Sequence, residues 1–473
     1  MAQPRLIWPL WFRRFGINRV STFLHTSFSI ARRICRDAIW AGDRCNWVGP
    51  SIESSGVVQK PFGADLYSGT SGVAFFLAAL YAQTEERLIR KTAEGAAAHA
   101  DSLAREITSP SLLGYYSGAL GIAWSLIKVG ELLSSSKWHE RGACLLESIT
   151  KGDVSNQSTD LMSGYAGAIP ALLELAHRYS RPNWAECAKR CGEYLIHLAV
   201  RSPEGWSWRT IEVPKKEASR NLTGLSHGVA GIGCALFELG NAACEIHFTQ
   251  AAQEAFRYER SHYNAQEENW PDFRDYQRLP RVADTPVFAT AWCHGAPGIA
   301  LSRLRAWQLT SDERLREEAE AALRSTTRIL QSTEAANMGF SLCHGRGGNA
   351  DILLEGARIL GLRDLRKTAE EVGYDGISRF ESKRLPWPCG VPGAGETKNL
   401  MLGTAGIGYF YLRLHESAIA TVLLTAKLTP QSAVTRSLRV RSALPSLQLR
   451  QVSGNSPATR LRDTHSSSVR LWR

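Results

Sequence analysis

The sequence predicts an all-α fold: an α/α toroid, a double barrel of seven inner and seven outer helices with loop insertions. Three observations carry that expectation. A small-Gly-x-x-Gly unit recurs seven times. An apolar run with helical spacing follows each of the first four copies, and shorter apolar stretches follow later ones. A more charged run, apolar on one face only, separates several neighbouring units.

The copies are Ser68-Gly69-Thr70-Ser71-Gly72, Ser117-Gly118-Ala119-Leu120-Gly121, Ser163-Gly164-Tyr165-Ala166-Gly167, His227-Gly228-Val229-Ala230-Gly231, His294-Gly295-Ala296-Pro297-Gly298, His344-Gly345-Arg346-Gly347-Gly348 and Leu402-Gly403-Thr404-Ala405-Gly406. Each interval between them has room for a helix, a turn, a second helix and a loop. The runs Val73 to Leu80, Ile122 to Val129, Ile169 to Leu175 and Ile232 to Leu239 repeat apolar residues every three or four positions, as inner helices would. The intervening runs Leu88 to Leu103, Ala185 to Val200 and Arg314 to Leu330 read as outer helices. Glycine at a helix start allows unusual backbone turns and close approach of another chain segment. Self-similarity at this period signals stacked supersecondary units, here closing into a ring with seven glycine corners at one end.

The repeat spans residues 61–427. Residues 1–60 are an extension with aromatic and basic character (Trp8, Trp11, Phe12, Phe15), and residues 22–41 are read as one amphipathic helix. Residues 428–473, rich in Arg and Ser, are expected to be a disordered tail. Three stretches are read as loops or short strands beside a cleft. They are residues 204–222 with Trp206-Ser207-Trp208-Arg209 and Lys215-Lys216-Glu217, residues 262–290 with Trp270-Pro271-Asp272-Phe273-Arg274, and the Pro/Gly-rich 376–399.

Composition narrows the function classes. The chain has 473 residues, 44% of them hydrophobic, enough for a large core. Its formal charge is +11, but the arginines crowd the first 44 residues and the stretch after Arg436, and they form no nucleic-acid-binding motif. No nucleic-acid partner is expected. The ten cysteines are scattered, mostly in apolar helical contexts, which argues against a disulfide scaffold. A reduced, cytoplasmic protein is expected, with no signal peptide around Leu6 to Leu10 and no membrane span.

Chemistry gathers at three successive corners. The fourth carries His227, the fifth Cys293-His294 and the sixth Cys343-His344. Cys and His are suited to zinc, and three protein ligands leave a fourth position open, as catalytic zinc sites do. A free cysteine is often just a small buried hydrophobe; that reading suits Cys144 and Cys187, but Cys-His recurring at one point of a repeat goes beyond it.

These residues carry a resemblance. Asp65-Leu66-Tyr67-Ser68-Gly69, Gly224-Leu225-Ser226-His227-Gly228, Trp292-Cys293-His294-Gly295-Ala296-Pro297-Gly298, Leu342-Cys343-His344-Gly345 with Gly348-Asn349, and Leu402-Gly403-Thr404-Ala405-Gly406-Ile407-Gly408-Tyr409 occur in the order and spacing of the LanC-like family. The chain resembles most the C-terminal cyclase domain of class II lanthipeptide synthetases, over about residues 45–427. The resemblance implies a zinc-dependent cyclase that adds peptide cysteine thiols to dehydroalanine or dehydrobutyrine, closing lanthionine or methyllanthionine rings in a precursor peptide. It implies Cys293, Cys343 and His344 as zinc ligands, His227 as the acid/base group and Asp160 as the aspartate beside it. A plain reading of Asp160 is a helix cap. His294 matches no ligand. An arginine that some relatives carry just before the first zinc cysteine is missing from Phe288-Ala289-Thr290-Ala291, and Arg209 and Arg274 are the replacements to examine.

No Gly-rich phosphate loop or kinase-like signature stands in the chain, so no dehydratase activity is expected. A separate dehydratase, with an export transporter as a further partner, would complete the system. Otherwise the chain is a remnant of a larger synthetase that binds peptide without turnover. A glutathione-type thiol addition is a third reading, and a glycosidase would want paired carboxylates instead.

Overall fold

A computed structural model describes residues 22–53, 56–210, 220–274, 287–391 and 393–424, all within one unit, Met1–Leu428. The tail expected over 428–473, the aromatic residues Trp8 to Phe15 and the Lys215-Lys216-Glu217 run lie outside the described residues.

The architecture is the predicted all-α double ring. Helix α1 (Thr22–Arg36) comes first, followed by hairpins β1–β2 (Ile39–Ala41, Arg44–Asn46) and β3–β4 (Val48–Glu53, Gly56–Pro61). Then come helix pairs: α2 (Thr70–Thr84) with α3 (Arg87–Leu103), α4 (Ala119–Leu132) with α5 (Ser136–Lys151), and α6 (Tyr165–Tyr179) with α7 (Pro182–His197). After hairpin β5–β6 (Val200–Ser202, Gly205–Ser207) follow α8 (Val229–Ala243) with α9 (Ile246–Ser261), α10 (Ala296–Thr310) with α11 (Glu313–Gln331), and α12 (Arg346–Leu360) with α13 (Arg363–Gly376). The last helix, α14 (Thr404–His415), packs on α2 and so closes the inner ring.

The last inner helix takes its outer partner from the other end of the chain. Helix α1 packs along α14, and Ser27 Oγ donates to the Gly408 carbonyl at 2.8 Å. The helix expected over 22–41 stops at Arg36, because Ile39–Ala41 leaves to pair with Arg44–Asn46. The loop stretches read from the sequence hold strand β6, followed by the buried Trp208, and a single turn of wider helix at Ile377–Glu381.

Burial explains the two classes of helix. The inner helices are apolar almost all round and touch protein on every side; α8 buries every residue from Val229 to Gly240. The outer helices bury one stripe, as α11 does with Leu315, Ala319, Ala322, Leu323, Thr326 and Leu330. Among the described residues no helix is long and apolar enough to cross a membrane.

The second glycine of each corner has a steric cause. A Cβ on Gly298 would run into the Trp292 carbonyl, and one on Gly348 into the Leu342 carbonyl. The corner loop lies directly on the first helical turn, and only glycine leaves room for that approach.

Two kinds of polar contact tie the inner helices together. Buried ion pairs link neighbours: Arg305 of α10 with Glu238 of α8, and Arg413 of α14 with Asp351 and Glu355 of α12. Trp124 of α4 donates to Glu174 of α6 at 3.0 Å. At the corner end, backbone hydrogen bonds run from corner to corner. Tyr67 N donates to Tyr116 O (2.8 Å), Tyr116 N to Met162 O (3.0 Å), Leu161 N to Ser226 O (3.1 Å) and Ser226 N to Cys293 O (3.1 Å). At the next corner the belt resumes with Cys343 N to Met401 O (2.9 Å) and Met401 N to Tyr67 O (2.9 Å). Among the described residues the one step without a backbone bond is that between Cys293 and Cys343.

Removing one partner of a fully buried pair strands the other charge. Arg305→Met is therefore expected to destabilise the protein by about 3–5 kcal/mol, read as a lowered denaturation midpoint. Arg305→Met with Glu238→Met should recover most of that loss.

Candidate metal centre

The break in the belt is where the two cysteines stand. Cys293 and Cys343 occupy the same position of consecutive corners, two residues before the first glycine, and the belt turns that position toward its neighbours. The Cys293 and Cys343 sulfurs and a His344 ring nitrogen lie within 4.8 Å of one another. Cys343 is 4% exposed, Cys293 is half-buried and His344 is open to solvent, so the triangle has a closed floor and an open mouth.

Each member is held by other segments. Cys293 O accepts from Ser226 N, and Cys343 N donates to Met401 O. His344 Nε2 lies 2.7 Å from the Gly390 carbonyl, and Gly390 N donates to Leu402 O at 2.7 Å. A carbonyl partner makes Nε2 the donor and leaves Nδ1 unprotonated, able to bind a metal. The electrostatics favour a thiolate. The Cys343 thiol bonding to Cys293, followed by His344 against burial, pulls the Cys293 thiol well below its ordinary value. The bond to Cys293, helped by burial, pushes the Cys343 thiol up. The bond to Cys293 also raises His344.

The donor set fits zinc. Bonds of about 2.0–2.3 Å in a tetrahedron place ligand atoms about 3.3–3.8 Å apart, a spacing that a group of this size accommodates. An ion held by these three atoms would have its fourth side toward the open mouth.

His227 sits at the next corner back. Its Nδ1 lies 2.6 Å from Asp160 Oδ2, so the carboxylate orients the ring and leaves Nε2 for chemistry. Asp160 is almost fully buried, and its other oxygen accepts from Ser163 N at 2.7 Å. Asp160 is not the helix cap that the sequence offered, because α6 begins only at Tyr165 with Gly164 before it; its carboxylate holds the turn at 161–163 and the His227 ring. Glu259 of α9 fixes this corner from behind by accepting from Gly224 N at 2.8 Å.

His294 stays outside the sulfur triangle. It is 1% exposed, its ring lies roughly parallel to that of His227 with centroids 6.1 Å apart, and its Nδ1 is 3.8 Å from Asp272 Oδ1. Burial pulls its pKa down to about 4, so the imidazole is neutral. Asp272 also holds Arg274, whose Nη2 is 2.6 Å from Oδ2. Arg274's positive charge acts on His294, Cys343 and His344, whereas Arg209 is exposed. Cys389 bonds Thr397 N at 3.5 Å and burial lifts its thiol to about 11, so it takes no part in the triangle.

Sequence reasoning missed Glu259, Asp272 as an anchor, and the Gly390 carbonyl. None has a motif; each holds the site from an outer helix or a loop distant in sequence from the residue it contacts. A second trio, Glu193, Glu245 and His247, lies on the outer surface, where Lys189 already engages Glu245 at 2.8 Å.

Comparison with known proteins follows from this geometry. A family model described as lanthionine synthetase C-like protein matches residues 60–425. The nisin biosynthesis protein NisC of Lactococcus lactis subsp. lactis is 23% identical over 332 residues, 65% of this chain and 77% of that protein. The lacticin 481/lactococcin biosynthesis protein LcnDR2 of the same subspecies is 22% identical over 421 residues; the match takes in 84% of this chain but only 40% of that protein. Among solved structures, nisin cyclase superposes with a TM-score of 0.57 at 18% identity, covering 76% of this chain and 90% of that one.

A Cβ on Gly390 would stand 2.9 Å from His344 Nε2 and 2.8 Å from Leu402 Cδ2. Gly390→Ala should therefore tilt His344 and lower zinc affinity about ten-fold, measured by chelator competition, with the helical circular dichroism spectrum unchanged.

Proposed function

The chain belongs to the lanthionine synthetase C-like family, and we propose that its residues 61–427 form a zinc-dependent thioether cyclase acting on a dehydrated precursor peptide. One observation carries the reading: the Cys293–Cys343–His344 triangle opens onto the same corner end as a histidine oriented by a buried carboxylate. A metal trio alone would suit a structural site; the adjoining His227–Asp160 pair supplies the proton chemistry that thiol addition needs.

Cys293, Cys343 and His344 would hold the ion. Zinc, when bound, lowers the pKa of a thiol entering the fourth position, so that a thiolate is available near neutral pH. The peptide's sulfur bonds to the β-carbon of the dehydro residue, and the double-bond pair moves to the α-carbon and its carbonyl. A proton then closes the α-carbon. His227 Nε2 would deliver it, and Asp160, 2.6 Å from Nδ1, would steady the imidazolium. The proton lost by the thiol balances the one gained by carbon. Arg274, clamped by Asp272, would add positive charge toward a carbonyl oxygen on which negative charge builds.

The substrate comes already dehydrated, from a separate enzyme or a larger synthetase. The open mouth at exposed His344 suits a flexible peptide rather than a small enclosed ligand.

Ring closure leaves peptide mass unchanged, so the test follows loss of thiol labelling in a peptide with one cysteine and one dehydroalanine. The wild type should close the ring well above the uncatalysed rate. His227→Ala and Asp160→Asn should slow it on the order of 10²- to 10⁴-fold while still binding zinc. Peptide binding with no rate enhancement would put the remnant reading in its place; preferential addition of free glutathione would favour the intermolecular reaction.

A further inference from the structure

The mechanism above makes no use of Asn349, the residue that follows the last glycine of the sixth corner. Its side chain spans the break in the belt. Asn349 is 0% exposed and stands in the first turn of α12, where its N–H donates to Gly345 O at 3.1 Å. Its Nδ2 donates across the gap to the Thr290 carbonyl at 2.9 Å. A carbonyl only accepts, so this bond sets which way the amide points. Thr290 opens the tight turn that carries Cys293. It pairs with Gly295, and inside the turn Ala291 N donates to His294 O at 3.1 Å.

A second asparagine holds the same turn, but only to its own corner. Asn269 Nδ2 donates to Ala289 O at 3.0 Å, and its Oδ1 accepts from Ala296 N at 2.8 Å. Asn349 comes from corner six instead. The helix that bears it begins directly after Cys343-His344-Gly345. One side chain therefore ties the Cys293 turn to the segment that holds the other two candidate ligands. The arrangement is costly to the fold. Asn349 Oδ1 is buried with no hydrogen-bond partner among the described residues. A half-satisfied buried amide is worse for stability than an apolar side chain of its shape. Packing alone would not retain it, and the bond to Thr290 is what the amide supplies.

We propose that Asn349 is a positioning residue of the metal centre: its bond to the Thr290 carbonyl fixes the Cys293 turn against corner six, so that the two sulfurs stand at their spacing before an ion arrives. The inference rests on the proposed zinc site and deepens it. Without this bond the ion itself would have to order the Cys293 turn, and that ordering would be subtracted from its binding. The ligands and their chemistry would stay the same; only their pre-organisation would be lost.

The test measures zinc affinity of the full chain by chelator competition. Asn349→Leu keeps a similar shape and removes the donor. Asn349→Ala also removes it without any risk of overfilling the site, and decides the matter should the first variant not fold. Both should bind zinc about 10- to 100-fold more weakly than the wild type. Saturating Co2+ should still give the wild-type sulfur-to-cobalt charge-transfer band in both, because the ligands themselves are intact. Ser27→Ala is the control. It removes another buried side-chain bond to a carbonyl, that to Gly408 at 2.8 Å, and should lower the denaturation midpoint with zinc affinity unchanged. Unchanged zinc affinity in the Asn349 variants, or an equal loss in Ser27→Ala, would overturn the role of Asn349 alone. A weakened cobalt band at saturation would overturn it too, since a ligand and not its pre-organisation would then be lost. A folded wild type that takes up no zinc would overturn the metal reading and this inference with it.

Discussion

The active end of this protein depends on one backbone hydrogen bond made again at successive corners. Seven inner helices could pack into a ring by their apolar surfaces alone, but apolar packing is non-directional and would leave the loops at their ends in no fixed register. The belt from Tyr67 through Tyr116, Met162, Ser226 and Cys293, and from Cys343 through Met401 back to Tyr67, supplies that register. It places equivalent residues of different repeats at one level around the ring. Its break falls between Cys293 and Cys343, the two corners that a shared zinc ion would join. In this account the ion takes the place of the missing bond, and the same geometry that closes the ring builds the site.

Behind the belt, the inner helices are held by ionic contacts in a dry interior. Arg303 is completely buried between Glu259 and Glu318, and Arg413 between Asp351 and Glu355. Such pairs contribute little net stability, because desolvation offsets attraction. Their consequence here is directional. Glu259 shows it: one oxygen faces Arg303 and the other accepts from Gly224 N, so an ion pair deep in the wall sets the loop that carries His227. Rigidity passes from core to corner through a single carboxylate.

Much of this was legible in the sequence because repetition is a strong signal. Seven Gly-x-x-Gly corners betray the ring, since the second glycine is demanded by the same carbonyl clash at Gly298 and Gly348. Cys293, Cys343, His344 and His227 are legible because they replace serine or other neutral residues at equivalent repeat positions. What stayed hidden acts between parts of the chain that sequence distance separates. The outer partner of α14 is α1, from the far end of the chain, and no periodicity links the two. The Gly390 carbonyl is a backbone group and leaves no trace in residue type. Asp272 looked like an ordinary loop residue until the fold set it beside His294 and Arg274. The helix read over 22–41 ran too long because amphipathic spacing alone does not see the hairpin that claims Ile39–Ala41.

The central claim is that two corners of the ring share one zinc ion. Elemental analysis of purified protein tests it most directly, with the wild type beside Cys293→Ala and Cys343→Ala and each checked for native helical content. The account predicts one zinc per chain in the wild type and its loss in both variants. A folded wild type without zinc, or a variant that keeps its full complement, would contradict it.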